Sequence, residues 1–248
     1  MRSSREVIAV IPCRNEAANI ASVVKATLAH VGHALVVDDG STDATADRAI
    51  EAGAEVLRGE TDPGKGAALR AGLRAAIERG FRQALTLDGD GQHRPGDIPR
   101  FFLHRPPPIG GGRRLVIGNR MDSAHSMPPL RRATNTAMSR ALSLATGRIL
   151  PDTQCGFRLM DLDPAFVDRL AADHFETESD QIAVALELGW AISFVPVACV
   201  YRGGVSAIRP VRDGARWMKW FFGKRRVFAN VRPQSSPQAI PPPHSAHA

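Results

Sequence analysis

The sequence predicts an α/β fold in which a mostly parallel sheet carries helices on both faces. Short apolar, β-branched runs alternate with helix-length segments over the first 90 residues. Glycines close the helical segments, at Gly53 and Gly80. The strand-like runs end on polar residues, and ligands of such sheets bind beyond the carboxyl ends of the strands.

The elements follow in order. EVIAVIP (6–12) is an unbroken apolar run and reads as a buried strand. Asn15 stands where it can cap a helix over 16–30. HALVVDD (33–39) is a second strand, and the segment behind it turns into a helix ended by Gly53. EVLRG (55–59) is a short strand, 64–80 an alanine-rich helix, and QALTLDGD (83–90) a fourth strand. Beyond residue 90 the alternation loosens. RPPPIGGGRR (105–114) reads as a loop, 115–120 as a strand, and 120–132 as a long mobile loop carrying Arg120, Arg131 and Arg132. Helices are expected over 133–147 and 179–189. Between 190 and 202 the chain reads as edge-type extended structure, because Pro196 interrupts it. The Pro/Ser-rich end reads as disordered. The expected organisation is one α/β domain over 1–208, a basic amphipathic segment over 209–232 and a disordered tail over 233–248.

A chain of 248 residues with 44% hydrophobic and 23% charged residues can bury a sizeable core. Cys13, Cys155 and Cys199 lie far apart with no metal-ligand spacing, which suits reduced thiols in a cytoplasmic setting. The N-terminal residues do not read as a signal peptide, and no apolar run reaches the ~20 residues needed to span a bilayer. The net charge of +7 sits entirely within 209–232, leaving 24 basic and 24 acidic residues elsewhere. One basic segment on a neutral body points to an anionic surface and away from nucleic acid. Within it Trp217, Trp220, Phe221, Lys224 and Phe228 recur at helical spacing, with Arg212, Arg216, Lys219 and Arg226 flanking them. That pattern reads as an interfacial helix on anionic lipid; the alternative is a helix packing its aromatics onto the domain.

Asp88 and Asp90 raise a question of charge, since no cation stands beside them in sequence. In a strand they point the same way, about 6.6–6.8 Å apart. They form either a solvated acidic turn or a seat for a hard divalent cation, Mg2+ or Mn2+, that carries a nucleotide diphosphate. Gln92 and His93 are near enough in sequence to be further ligands. Gly59-x4-Gly64-Lys65 imitates a phosphate-binding P-loop, but Gly66 replaces the required Ser or Thr and Pro63 removes a backbone N–H. Lys65 is left as a cation that can meet an anion.

The motifs IPCRNEAANI, VVDDGSTDAT, GKGAALRAG, TLDGDGQHRPGDIP, VIGNR and DTQCGFRLMD occur in this order. Together they resemble the family 2 glycosyltransferases of GT-A fold, and within them the dolichyl- or polyprenyl-phosphate sugar transferases. The resemblance implies a nucleotide pocket of Pro12, Asn15, Glu16 and Asp39, with Lys65 and Asp88 at the same ligand. It makes Asp88 and Asp90 the D-x-D pair, with Gln92 as a further metal ligand. Arg120, Arg131 and Arg132 match positions that grip a lipid phosphate, Asp152 and Arg158 lie near the sugar, and Glu178 and Asp180 match acidic positions of a helix start. The implied reaction is metal-dependent, inverting transfer from a nucleotide-sugar to a lipid phosphate, by a peripheral protein on the inner face of the cytoplasmic membrane. A hydroxyl acceptor would instead need Asp152, Glu178 or Asp180 as its base. The rivals are a nucleotidyltransferase and a non-catalytic anionic-membrane binding module.

Overall fold

The computed structural model describes residues 6–59, 64–104, 112–122, 127–200 and 210–231. Strands β1 (Val7–Cys13) and β2 (Ala34–Asp38) are buried at every position. Their sequences do not alternate in polarity, which is what a strand covered on both faces requires. Between and after them run α1 (Ile20–Leu28), α2 (Thr45–Glu51), β3 (Glu55–Arg58), α3 (Lys65–Glu78) and β4 (Gln83–Thr86). A 3-10 turn, Pro95–Asp97, leads into α4 (Ile98–Leu103). The remaining elements are β5 (Arg114–Asn119), α5 (Pro129–Thr146), β6 (Arg158–Asp161), α6 (Pro164–Arg169), α7 (Thr177–Glu187), β7 (Ala191–Pro196), α8 (Pro210–Gly223) and α9 (Arg225–Ala229).

The seven strands make one sheet in the order β3-β2-β1-β4-β6-β5-β7. All pairings are parallel except those of β6, which runs antiparallel to both β4 and β5. Strand β7 takes an edge, as its proline predicts. Helix α3 lies so close to the sheet that a Cβ at Gly72 would come within 2.5 Å of Val10 and 2.8 Å of Val37. Asp163 caps α6 by accepting the Ala165 N–H, with Pro164 in the first turn where its missing donor costs nothing.

Four features differ from the expected elements. Strand β4 stops at Thr86, so Asp88 and Asp90 occupy a turn and not a strand. Strand β6 was not expected at all. Helix α5 begins at Pro129, which places Arg131 and Arg132 in a helical turn and not in a loop. The aromatic stripe of 217–228 faces the domain: Trp217 is 4% exposed, Phe228 is buried, and Trp217 belongs to the main core. The segment is thus packed onto the α/β body and is not a separate unit. Residues 105–111 of the expected loop, 123–126 of the arginine loop, and the expected tail lie outside the described residues.

Candidate active site

The site forms where the loops after β1, β2 and β4 meet. Asn15 adopts a left-handed conformation (φ 56°), a state its short amide side chain tolerates better than most. Its Oδ1 accepts the Thr42 N–H at 2.8 Å, and its own N–H donates to Ser41 Oγ at 2.9 Å. The Glu16 N–H donates to Thr45 Oγ1 at 2.8 Å. Asp38 Oδ1 accepts the Ser41 N–H at 3.0 Å, and the Asp39 N–H reaches the Cys13 carbonyl at 2.9 Å. The loops after β1 and β2, which carry Asn15, Glu16 and Asp39, are therefore laced together, while Pro12 lies buried within β1.

The charge question resolves in space. Lys65, the first residue of α3, lies 2.7 Å from Asp88 Oδ1 and 2.7 Å from Glu178 Oε1. Burial alone would lower the lysine pKa, but Asp88 and then Glu178 hold it above its ordinary value. Burial would likewise raise Asp88, yet Lys65 brings its carboxyl well below the usual range. Asp90 differs. Burial, and then the Asp88 charge, push it up to about 6. Its Oδ1 accepts the Gln92 N–H at 2.9 Å, and among the described residues no cation forms an ion pair with it. The His93 ring is buried and stacks on Phe157, and its Nδ1 accepts the Asp88 N–H at 3.2 Å, so that nitrogen is not open to a metal.

Gly156 keeps this corner open, since a Cβ there would lie 3.0 Å from Asp88 Oδ1 and 3.2 Å from Lys65 Nζ. The donors fit a small hard cation. Among the described residues no cluster of three or more His, Cys, Asp or Glu forms a complete cage. Mg2+-type sites use one or two carboxylates and take their other oxygens from water and substrate phosphate. Asp90, unneutralised beside Asp88, meets that description. The start of α3, by contrast, is not a phosphate cradle: the Asp173 carbonyl accepts the N–H of Gly66 at 2.7 Å and that of Ala67 at 3.4 Å.

Arg131 Nη1 stands 3.5 Å from Gln92 Oε1, which brings the start of α5 beside the acidic turn. Arg132 is exposed and lines an open groove of about 590 Å3 along α5, with Met127, Ala133, Ala137 and Arg140. Arg120 belongs elsewhere. Its guanidinium is 3% exposed and grips Asp152 with Nε to Oδ2 at 2.8 Å and Nη2 to Oδ1 at 2.9 Å, while its backbone N–H adds a bond of 3.0 Å. Burying either charge without the other would be severely unfavourable, so the pair stays closed. Neither Arg120 as an acceptor-phosphate ligand nor Asp152 as a base has an open face here.

Asp180 is fully buried. It accepts the N–H groups of Ala171 at 2.7 Å and Ala172 at 3.1 Å, the Trp220 indole N–H at 2.9 Å and Lys224 Nζ at 2.9 Å. A carboxylate with four donors is a structural hub and cannot take a substrate proton. Arg158 is also sealed, donating to the carbonyls of Cys155 (2.7 Å), Glu178 (2.8 Å) and Thr153 (3.1 Å) and to Gln181 Oε1 (3.2 Å). It braces the 152–158 loop against α7 and does not face a sugar. Sequence reasoning missed the Lys65–Glu178 contact and the opening at Gly156. The GKG motif was the one visible signal of the first.

Residues 8–161 match Glycosyl transferase family 2, over more than half of the chain. The chain belongs to this family. Similar family members include a UDP-N-acetylglucosamine–dolichyl-phosphate N-acetylglucosaminyltransferase of Methanococcus voltae, 28% identical over 77% of this chain and 84% of that one. An undecaprenyl-phosphate mannosyltransferase of Micrococcus luteus is 32% identical over 68% of this chain and 72% of its own. Among solved structures, glucosyl-3-phosphoglycerate synthase of Mycobacterium tuberculosis, in complex with Mn2+, UDP and phosphoglyceric acid, superposes with a TM-score of 0.66. It is 22% identical and aligns over 92% of this chain and 80% of that one. The protein is thus a family 2 glycosyltransferase with the GT-A fold.

Proposed function

We propose that this family 2 glycosyltransferase moves a sugar, with inversion, from a nucleoside diphosphate sugar to a polyprenyl-type lipid phosphate. One observation carries the reading: Asp152, Glu178 and Asp180, the carboxylates that the motifs offer as base for a hydroxyl acceptor, are all committed, and Asp90 is assigned to the metal. Asp152 is held by Arg120, Glu178 by Lys65, and Asp180 by its four donors. A phosphate acceptor is ionised near neutral pH and needs no strong base. The dolichyl- and undecaprenyl-phosphate transferases among the relatives support the same acceptor class, and the UDP and Mn2+ of the structural neighbour support the donor class.

In this reading Pro12, Asn15, Glu16 and Asp39 receive the nucleoside. Asp90, with Asp88 and the Gln92 amide beside it, would hold Mg2+ or Mn2+. The bound ion supplies Lewis-acid stabilisation of the charge that grows on the leaving diphosphate. Lys65, shared by Asp88 and Glu178, offsets one of their two charges and so lowers the repulsion that a diphosphate meets there. Arg131 and Arg132 hold the acceptor phosphate in line with the anomeric carbon. Incubating the protein with UDP- and GDP-sugars, polyprenyl phosphate and Mn2+ tests the proposal. Glycosyl-lipid with release of nucleoside diphosphate is expected. Release of pyrophosphate would make the protein a nucleotidyltransferase, and transfer to a hydroxyl would overturn the acceptor.

Arg132→Ala, and more so the Arg131/Arg132 double alanine variant, should raise the KM for the lipid phosphate at least tenfold. A charged hydrogen bond contributes about 1.5–3 kcal/mol. The KM for the donor should move less than about twofold, on the assignment of both side chains to the acceptor. A defect confined to the donor KM would remove that assignment.

Attachment to the membrane belongs to the outer face of α8 and α9. No helix among the described residues is long and apolar enough to cross a membrane. Met218 (45% exposed) and Phe222 (57% exposed) stand out between the exposed Arg212, Lys219, Arg225 and Arg226. Apolar tips among cations suit peripheral contact with the anionic inner leaflet of the cytoplasmic membrane, where each cation contributes about 1 kcal/mol. The buried, reduced cysteines agree with that compartment. Met218→Ser with Phe222→Ser should cut co-sedimentation with anionic vesicles several-fold and leave the melting temperature unchanged. Undiminished co-sedimentation would exclude this face.

A further inference from the structure

The first turn of α7 works in two directions. Glu178, Ser179 and Asp180 are consecutive and all buried. Glu178 reaches inward to Lys65, and Lys65 to Asp88. Its two neighbours reach outward to the C-terminal helices: Ser179 Oγ accepts the Trp217 indole N–H at 2.9 Å, and Asp180 Oδ1 takes the Trp220 indole N–H and Lys224 Nζ, each at 2.9 Å. Ser179 also accepts from the Gln154 amide at 2.8 Å, two residues along the chain from Gly156.

Successive residues of one helical turn are fixed relative to each other by about 100° of rotation and 1.5 Å of rise. A contact that fixes Ser179 and Asp180 therefore fixes the backbone from which Glu178 reaches Lys65. Lys224 supplies the salt-bridging cation of Asp180, whose carboxylate is fully buried. Without it the buried charge is left short of its counter-ion, a state relieved by shifting the turn or letting water in. The family match ends at residue 161, so α7, α8 and α9 all lie beyond it.

We propose that α8 and α9 are a positioning element of the catalytic centre: seated on Ser179 and Asp180, they set Glu178, and through it hold Lys65 against Asp88. The inference rests on the reading of Asp88, Lys65 and Glu178 as the donor site. Trp217, Trp220 and Lys224 are then positioning residues that never touch substrate.

The test uses the full chain. Lys224→Met and Trp220→Phe keep the apolar bulk and remove one donor each from Asp180. Lys224→Arg restores a cation, and Asn230→Ala, exposed at the C-terminal end of α9, is the control. Affinity for UDP with Mn2+ is measured by calorimetry well below each melting transition, together with amide hydrogen exchange over 65–69 and 177–181. Lys224→Met and Trp220→Phe are expected to bind at least fivefold more weakly while still folded and to exchange faster in both segments. Lys224→Arg should return to within about twofold of wild type, and Asn230→Ala should bind as the wild type does. Folded variants with wild-type affinity and exchange would reduce the helices to a cover and overturn the inference. If the wild type itself does not bind UDP with Mn2+, the donor-site reading fails. Hydrogen exchange then decides the linkage alone: unchanged rates at 65–69 in Lys224→Met overturn it.

Discussion

Asp90→Asn is expected to abolish sugar transfer and to make nucleoside diphosphate binding independent of metal. Asp88 already has Lys65 as its partner, so Asp90 carries the uncompensated charge of the turn. With an amide at 90, Lys65 faces Asp88 and Glu178, so the group keeps one net negative charge in place of two and loses the carboxylate that has no ion pair among the described residues. Losing an outer-shell partner of a metal ligand typically costs 10–100-fold, so losing a ligand charge should cost at least about a hundredfold. Calorimetry of UDP with and without Mn2+ reads the binding, and glycosyl-lipid formation reads the transfer. The pH dependence has a defined sign. Asp90 is raised because burial and Asp88 disfavour its charged form, so protons compete with the metal below about 6. Mn2+-dependent affinity in the wild type should fall as pH drops through that value, and Asp90→Asn should show no such step. Equal, metal-independent binding by both proteins would take the metal out of the mechanism.

Deleting residues 210–248 is expected to abolish cooperative folding. Trp217 and Phe228 are both buried, and truncating a buried aromatic to alanine costs about 3–5 kcal/mol. The deletion removes both side chains, takes Trp220 and Phe221 away from the core, and strips Asp180 of Lys224. The sum is comparable with the roughly 5–15 kcal/mol that holds a whole domain together. Circular dichroism and thermal melting of the shortened chain are the measurements. Trp217→Ala alone should remain folded but lose about 3–5 kcal/mol. A shortened protein that melts cooperatively near the wild-type temperature would mean that the aromatic stripe lies outside the core.

Strands β1 and β2 were legible because they are covered on both faces and therefore read as unbroken apolar runs. Strand β6 was not, since RLMD is four residues long and opens on Arg158, whose partners lie on the 153–155 segment and on α7. The start of α5 was hidden by Pro128 and Pro129, which read as loop residues, although proline suits the first turn of a helix. Within the site, Asp88 and Asp90 were visible as a motif, but their environment was not. Lys65 and Glu178 are far apart in sequence, and no local pattern announces that they meet. For 217–228, helical spacing of aromatics is the same whether the stripe meets lipid or protein. Ser179 and Asp180 supply the hydrogen-bonding partners that decide it.

The dependence of Asp180 on Lys224 has a consequence for the order in which the protein comes into being. Translation delivers α7 some 40 residues before the lysine that neutralises it, at about 5–20 residues per second. Until then the chain lacks both the aromatic packing and the counter-ion on which its folding is expected to depend. The site is therefore expected to complete itself only after α9 has been made, and chains released before α9 are expected not to fold.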